Sequence, residues 1–99
     1  MGTTVETIAA FLAGAGVRRM YGVPGGGSTL DLIEAGRKRQ LEFVLTPHEA
    51  SAAIMAATEG DLLDRPGVCL AALGPGVAHA VGGVAHACLD RVPLLLLTD

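Results

Sequence analysis

Apolar positions repeat every three to four residues in four segments of the chain, and a short apolar run follows each segment. The helical period predicts four helices, at about residues 4–14, 28–39, 46–63 and 74–90. The apolar runs predict four strands, at residues 19–23, 42–45, 68–73 and 93–98. A helix is therefore followed by a strand four times along the chain.

Capping residues mark the starts of these helices. Thr3 and Glu6 match the S/T-x-x-E capping box ahead of the first helix, and Thr46 and Glu49 match it ahead of the third. Ser28 has the side chain of an N-cap for the second helix. On spacing alone, the favoured interpretation of Glu49 is a capping residue that accepts a hydrogen bond from the backbone N–H of Thr46.

The strands favour a parallel sheet. They lack a clean alternation of apolar and polar positions, as expected when helices cover both faces. The predicted fold class is therefore α/β, a three-layer parallel sheet with helices on both faces. Asp99 follows directly on the fourth strand, so we expect the fold to be incomplete at its C-terminus. Three loops meet at the edge where parallel strands end and ligands bind: Gly22–Ser28, Thr46–Glu49 and Gly74–Gly76.

Composition limits the chain to one modest domain over residues 1–99. Hydrophobic residues make up 51% of the sequence, which excludes a disordered chain. The net charge is −3 and only 3% of the residues are aromatic. The chain therefore has neither a basic surface nor side chains on which bases could stack, and nucleic acid is not an expected partner.

Pro66–Leu89 contains no Asp, Glu, Lys or Arg over 24 residues, a length that could cross a membrane. Pro75 and five glycines within it instead predict a strand, a turn and a helix, so no membrane is expected. The N-terminus lacks the basic region of a secretory signal, and Cys69 and Cys88 match no CxxC spacing. We therefore expect a cytoplasmic location and two free, buried thiols.

The position of Glu49 supports a second interpretation of this residue. It follows a strand at the ligand-binding edge and begins a helix of small residues that lets another surface come close. In the first of the three loops, Pro24–Gly27 could hold an anion at a helix N-terminus or let a flat ring lie against bare backbone. A purely structural turn is the alternative for this loop.

The Gly74–Gly76 turn approaches the dinucleotide fingerprint G-x-G-x-x-G, and Asp99 lies near the position of a ribose-binding acid. His79 stands where the third glycine belongs, and its bulk disfavours the dinucleotide interpretation. His79 and His86 share one helix face, but no carboxylate or cysteine has ligand spacing with them. No metal site is therefore predicted within the chain.

Five blocks of sequence carry a resemblance that covers nearly the whole chain. They are Tyr21–Gly27 (YGVPGGG), His48–Ala50 (HEA), Gly67–Leu70 (GVCL), Gly74–Gly76 (GPG) and Asp90–Leu94 (DRVPL). In this order they resemble the N-terminal pyrimidine-binding domain of thiamine-diphosphate-dependent enzymes, in particular the acetolactate synthase group.

The resemblance implies a role for each predicted site residue. In this family the glutamate matching Glu49 hydrogen-bonds a ring nitrogen of the cofactor's aminopyrimidine and helps to activate the cofactor. The other implied cofactor contacts are Pro24, Gly25, Gly26, Gly74, Pro75 and Gly76.

The same resemblance implies an enzyme that acts on 2-keto acids by decarboxylation or carboligation. The diphosphate group of the cofactor, thiamine diphosphate, and its Mg²⁺ would be held by a diphosphate-binding domain or subunit that these residues do not include. The chain alone would therefore be inactive. The enzyme would be a homo-oligomer, a dimer or tetramer, with the glutamate at the interface. Small-residue strips on the third and fourth predicted helices would form that interface or pack within the domain.

Two other functions are consistent with the residues. One is a stand-alone nucleotide-binding or regulatory α/β module, and the other is a non-catalytic subunit kept for assembly. The family often has an aromatic residue and an arginine where this chain has Thr58–Asp61, and usually asparagine at the position of His79. These differences concern the particular reaction and leave the expected role of Glu49 unchanged.

Overall fold

The computed structural model describes residues 2–99, which form four helices, each followed by a strand. The helices are α1 (Thr4–Gly14), α2 (Ser28–Lys38), α3 (Glu49–Leu63) and α4 (Pro75–Asp90). The strands are β1 (Arg19–Gly22), β2 (Glu42–Leu45), β3 (Gly67–Leu70) and β4 (Leu94–Leu97). The predicted order of elements is confirmed.

All four strands are parallel and are arranged in the order β2-β1-β3-β4. Gly22 at the end of β1 is in register with Leu45 on one side and Leu70 on the other, and Leu70 is in register with Leu97. The strands therefore end together, and the loops that follow them share one edge of the sheet.

Helices cover both faces of this sheet, which confirms the three-layer α/β class. Side chains alternate between faces along a strand, so Met20 and Tyr21 belong to different cores. Buried residues of α1 and α2 pack with those of β1 and β3 in one core: Ala9, Leu12, Leu32, Ala35, Met20, Val68 and Leu70. Buried residues of α3 pack with those of β1 and β3 in the other: Ala52, Ala53, Ala56, Tyr21 and Cys69.

The small-residue strips on α3 and α4 pack against each other within the chain. A Cβ added to Gly83 would lie 2.5 Å from the Ala53 Cβ and 2.7 Å from the Ala50 carbonyl oxygen, so the two helices approach as closely as glycine allows. Ala80 and Ala87 on the same face of α4 are also buried. Of the two expected roles for these strips, internal packing is the one observed.

The starts of two helices differ from the sequence-based prediction, and the third strand ends at Leu70, three residues earlier than predicted. The third helix begins at Glu49 and not at Thr46, because His48 has extended backbone angles (φ −156°, ψ 146°) and serves as the N-cap. The predicted cap at Ser28 is also wrong. Gly27 holds that position with φ 70°, a left-handed conformation that favours glycine.

The charge-free segment Pro66–Leu89 is divided between β3, a turn and α4, as predicted. None of the helices formed by residues 2–99 has the length and apolar character needed to cross a bilayer. Cys69 is free and buried in β3, and burial raises the pKa of its thiol to about 11. Cys88 is free but exposed, contrary to the prediction, because α4 packs through the neighbouring Ala87 and not through this position.

Candidate functional site

The candidate site lies at the carboxyl edge of the sheet, where the loops after β1, β2 and β3 meet. Glu49 is the first residue of α3, and only 13% of its side chain is exposed. A Cβ added to Gly76 in the first turn of α4 would lie 3.6 Å from Glu49 Oε2. The parallel topology therefore brings Glu49 and the Gly74–Gly76 turn together, as the sequence predicted.

Glu49 is not a capping residue. The backbone N–H of Thr46, which a capping box would pair with Glu49, donates to the carbonyl oxygen of Gly22 at 3.0 Å. The helix N-terminus is capped instead by His48, whose Nδ1 accepts from the backbone N–H of Ala50 at 3.0 Å. Among residues 2–99 the Glu49 carboxylate accepts no hydrogen bond, so it is available to a ligand.

The matching motif at the first helix behaves as predicted. The backbone N–H of Thr3 donates to Glu6 Oε2 at 2.9 Å, and the backbone N–H of Glu6 donates to Thr3 Oγ1 at 3.2 Å. No strand formed by residues 2–99 pairs with Thr3, so the Thr3 N–H remains for Glu6. The same spacing at Glu49 has a different outcome because β2 is paired with β1.

Two histidines lie beside the Glu49 carboxylate, a contact that the sequence analysis did not predict. His79 Nδ1 lies 3.5 Å from Glu49 Oε1, and the rings of His48 and His79 stack with centroids 5.2 Å apart and an interplanar angle of 29°. One ligand atom from each of His48, Glu49 and His79 lies within 4.8 Å of the others. Two imidazoles and a carboxylate could hold a borderline divalent ion such as Zn²⁺.

Sequence spacing could not identify this group, because its members lie on two helices far apart in the chain. The available signal was topological. His48 caps the start of α3, and His79 lies in the second turn of α4. Both helices follow parallel strands, and such helices begin at one edge of a sheet. His86, which the sequence paired with His79, lies instead 3.5 Å from Asp90 on the same helix.

The glycine loop after β1 reaches the same edge. A Cβ added to Gly25 would overlap the Cβ of Ala72, so this loop packs directly on the segment that leads into α4. A Cβ added to Gly26 would meet nothing within 4 Å. Pro24–Gly26 therefore combine one close backbone contact with open space beside it, where a flat group could lie.

The N-terminus of α2 is already occupied by a group from the chain itself. Asp99 Oδ2 accepts a hydrogen bond from the backbone N–H of Ser28 at 2.8 Å, and this bond lowers the pKa of the Asp99 carboxyl. A negative side chain thus takes the position at which an external anion would bind. Of the two ligand types considered for this loop, the structure favours a flat ring over an anion.

A polar network links the later part of α3 to β1. Glu59 Oε1 accepts hydrogen bonds from the Tyr21 hydroxyl at 2.8 Å and from Arg19 Nη1 at 3.0 Å, and only 9% of the Glu59 side chain is exposed. Burial and, secondarily, the hydrogen bond to Glu59 raise the pKa of Tyr21 to about 12. The network fixes the helix that carries Glu49 to the central strand β1.

This network makes the folded chain sensitive to alkaline pH. The folded-state pKa of Tyr21, about 12, lies above the usual value of 10.0, so the folded chain holds the phenol proton more tightly. The stability that this provides is complete below pH 10 and is lost as the pH rises from about 10 to about 12. We expect Tyr21→Phe to remove this part of the alkaline loss, as measured by urea unfolding between about pH 8 and pH 11.5.

Cys69 also has a raised pKa, and it contributes its own alkaline loss equally in both proteins. The difference between wild type and Tyr21→Phe therefore isolates the tyrosine. An identical fall in unfolding free energy for the two proteins would contradict the prediction.

A parallel α/β sheet with glycine loops and a largely buried carboxylate at its carboxyl edge has the features of a ligand-binding α/β domain. Residues 2–99 match the family described as thiamine pyrophosphate enzyme, N-terminal TPP binding domain, and the chain belongs to this family. The resemblance to thiamine-diphosphate enzymes is confirmed, and thiamine diphosphate is the cofactor of the family.

Individual relatives agree with this assignment. A Bacillus subtilis protein whose name describes it only as thiamine pyrophosphate-containing is 42% identical over 84 residues, which are 83% of this chain and 14% of that protein. Pyruvate oxidase of Lactiplantibacillus plantarum is 38% identical over the same share of each chain. The large subunit of acetolactate synthase isozyme 1 of Escherichia coli is 35% identical over 97% of this chain and 17% of its own length.

The chain thus spans about a sixth of the length of the curated relatives it matches. The region it shares with them is the one that matches the N-terminal TPP binding domain family.

Proposed function

We propose that residues 1–99 form most of the pyrimidine-binding domain of a thiamine-diphosphate-dependent enzyme that acts on 2-keto acids by decarboxylation or carboligation. The observation that carries this proposal is the Glu49 carboxylate, which is largely buried at the carboxyl edge of the sheet and accepts no hydrogen bond from residues 2–99. The membership in the family and the named activities of the oxidase and synthase relatives support it.

The residues of this edge fit an aminopyrimidine ring. The open space at Gly26 and the bare backbone of Gly76 beside Glu49 leave room for a flat group. The carboxyl group of Glu49 would hold a proton at one oxygen and share it with a ring nitrogen. Pro24, Gly25, Gly74 and Pro75 would complete the cleft through backbone and ring contacts.

When bound, thiamine diphosphate supplies an electron sink for the carbon–carbon bond next to the keto group. The contribution of this chain is to orient the pyrimidine, to control one proton through Glu49 and to keep water away from it. The one group of at least three potential metal ligands among residues 2–99, His48 with Glu49 and His79, contains a single carboxylate, whereas Mg²⁺ prefers oxygen ligands. The diphosphate and Mg²⁺ would therefore be held by a separate domain or subunit, and the chain alone would be inactive.

The active form would be a cytoplasmic homo-oligomer, a dimer or tetramer. The small-residue strips pack within the chain and so cannot form the contact between subunits. The exposed apolar side chains of α3 offer another surface for that contact, and they support this part of the proposal. These side chains line a groove of about 420 Å³ beside Arg19 and Tyr21: Ile54, Met55, Leu62 and Leu63.

The proposal is tested in the assembled enzyme, meaning this chain together with the diphosphate-binding part on the same polypeptide or on a partner. We expect Gly26→Ala to weaken thiamine diphosphate binding by at least about tenfold at unchanged thermal stability, because a methyl group would enter open space that the ring needs. Calorimetric titration with the cofactor and Mg²⁺ gives the affinity.

Gly82→Ala is the matched control, since a Cβ there also meets nothing within 4 Å but lies on α4 away from the loops. It should leave cofactor affinity unchanged. Equal affinity in wild type and Gly26→Ala would remove this loop from the cofactor cleft. Failure of the wild type to bind thiamine diphosphate, together with binding of a nucleotide, would favour the regulatory module instead.

A further inference from the structure

We propose that His79 is a positioning residue that orients the Glu49 carboxylate, an inference that rests on the proposed function of Glu49. His79 Nδ1 lies 3.5 Å from Glu49 Oε1. Among residues 2–99, His79 is the one basic side chain within 4.0 Å of this carboxylate. One oxygen of the largely buried Glu49 side chain therefore faces a group from the neighbouring helix.

His79 is itself held in place by His48. The His48 ring is fixed because its Nδ1 caps α3 by accepting from the backbone N–H of Ala50 at 3.0 Å. The His79 ring stacks on it, with centroids 5.2 Å apart. His48, the cap of α3, therefore supports His79 of α4, and His79 in turn faces Glu49 at the start of α3.

This arrangement gives the two carboxylate oxygens of Glu49 different surroundings. Oε1 faces His79 Nδ1, whereas Oε2 lies beside the bare backbone of Gly76. When neutral, His79 would carry its proton on Nδ1 and direct it at Oε1. Oε2 is then the oxygen left free to share a proton with the ring nitrogen of the cofactor.

A divalent metal at the same three residues is the competing explanation. A metal on His48 Nε2 would place the imidazole proton on Nδ1, where it would oppose the Ala50 N–H that Nδ1 now accepts. Metal binding would thus disrupt the cap of α3. The positioning role requires no such change, and for this reason the geometry favours it.

The first test is ¹⁵N NMR of the imidazoles in this chain at about pH 8, where histidine is mostly neutral. We expect the Nδ1–H tautomer for His79 and the Nε2–H tautomer for His48. Glu49→Ala should abolish the Nδ1–H preference of His79 and leave the Nε2–H tautomer of His48 intact. His86, whose Nε2 lies 3.5 Å from Asp90, is the control in the same spectrum and should not respond.

An Nε2–H tautomer of His79 in the wild type, or an Nδ1–H preference that persists in Glu49→Ala, would overturn the proposal. If Glu49→Ala does not fold, Glu49→Gln takes its place, because glutamine keeps the volume of the side chain. The Nδ1–H preference of His79 should then be weakened. The metal site would be established instead by two results together. The metal-free wild type would lack the expected tautomers of His48 and His79, and stoichiometric Zn²⁺ would shift the signals of both rings.

The second test is turnover of a 2-keto acid by the assembled enzyme. His79→Ala should lower kcat about 10- to 100-fold at unchanged cofactor affinity, because the carboxylate loses its orientation. His79→Asn should restore most of kcat, since its amide N–H stands where Nδ1–H stood. His86→Ala should leave turnover unchanged.

The two proposals fail in different ways in this experiment. If Glu49→Gln is inactive and His79→Ala is fully active, the positioning role is wrong and the function of Glu49 stands. If Glu49→Gln is itself fully active, the proposed function is wrong whatever His79 does.

Discussion

Replacing Glu49 by glutamine is expected to lower turnover of a 2-keto acid by at least about 100-fold in the assembled enzyme, with little change in thermal stability. Glutamine keeps the shape of the side chain and its ability to hydrogen-bond, but it removes the proton that a carboxyl group can share with a ring nitrogen. Proton exchange at the thiazolium carbon of the cofactor should fall by a similar factor. This exchange reports cofactor activation separately from later steps.

The structure removes the capping interpretation that the sequence left open for Glu49. Since the Glu49 side chain makes no capping hydrogen bond, a change in activity cannot arise from a lost cap. Glu6→Gln is the control, because Glu6 does belong to a formed capping box and glutamine serves equally well at that position. It should leave both turnover and stability unchanged. Wild-type exchange and turnover in Glu49→Gln would exclude a proton-transfer role for this residue.

The second large effect concerns the fold. Gly67→Ala should lower the free energy of unfolding of the chain by about 3 kcal/mol or more, as measured by urea unfolding. A Cβ at this position would overlap the carbonyl group of Ala56, so β3 and α3 can pack at their present distance only with glycine between them. Backbone atoms cannot rotate away as a flexible side chain can, so the helix itself would have to shift.

Gly82→Ala again provides the control. Its added methyl group meets nothing within 4 Å, and alanine in a helix interior is expected to raise stability by about 0.5–1 kcal/mol. A destabilisation of Gly67→Ala no larger than a few tenths of a kcal/mol would mean that α3 does not lie against β3 at this distance.

The α/β class, the order of elements and the meeting of the glycine loops with Glu49 at one edge could be predicted from local patterns. Apolar periodicity indicates which face of a helix is buried, and the pattern of β1 to β4 indicates a sheet covered on both faces. Once a sheet is parallel, its strand ends must meet. Glu49 and Gly76 were therefore placed together without knowledge of a single side-chain contact.

Tertiary structure alone decided which groups the Glu49 carboxylate contacts at that edge. Its capping interpretation failed because the Thr46 N–H pairs with Gly22 across two strands, and a hydrogen bond of this kind depends on which strands are neighbours. The contact with His79 has the same origin, since it joins helices that are adjacent only after the sheet has formed. The sequence determined which residues reach the edge, and packing between distant elements determined which polar groups there are paired and which remain free to act.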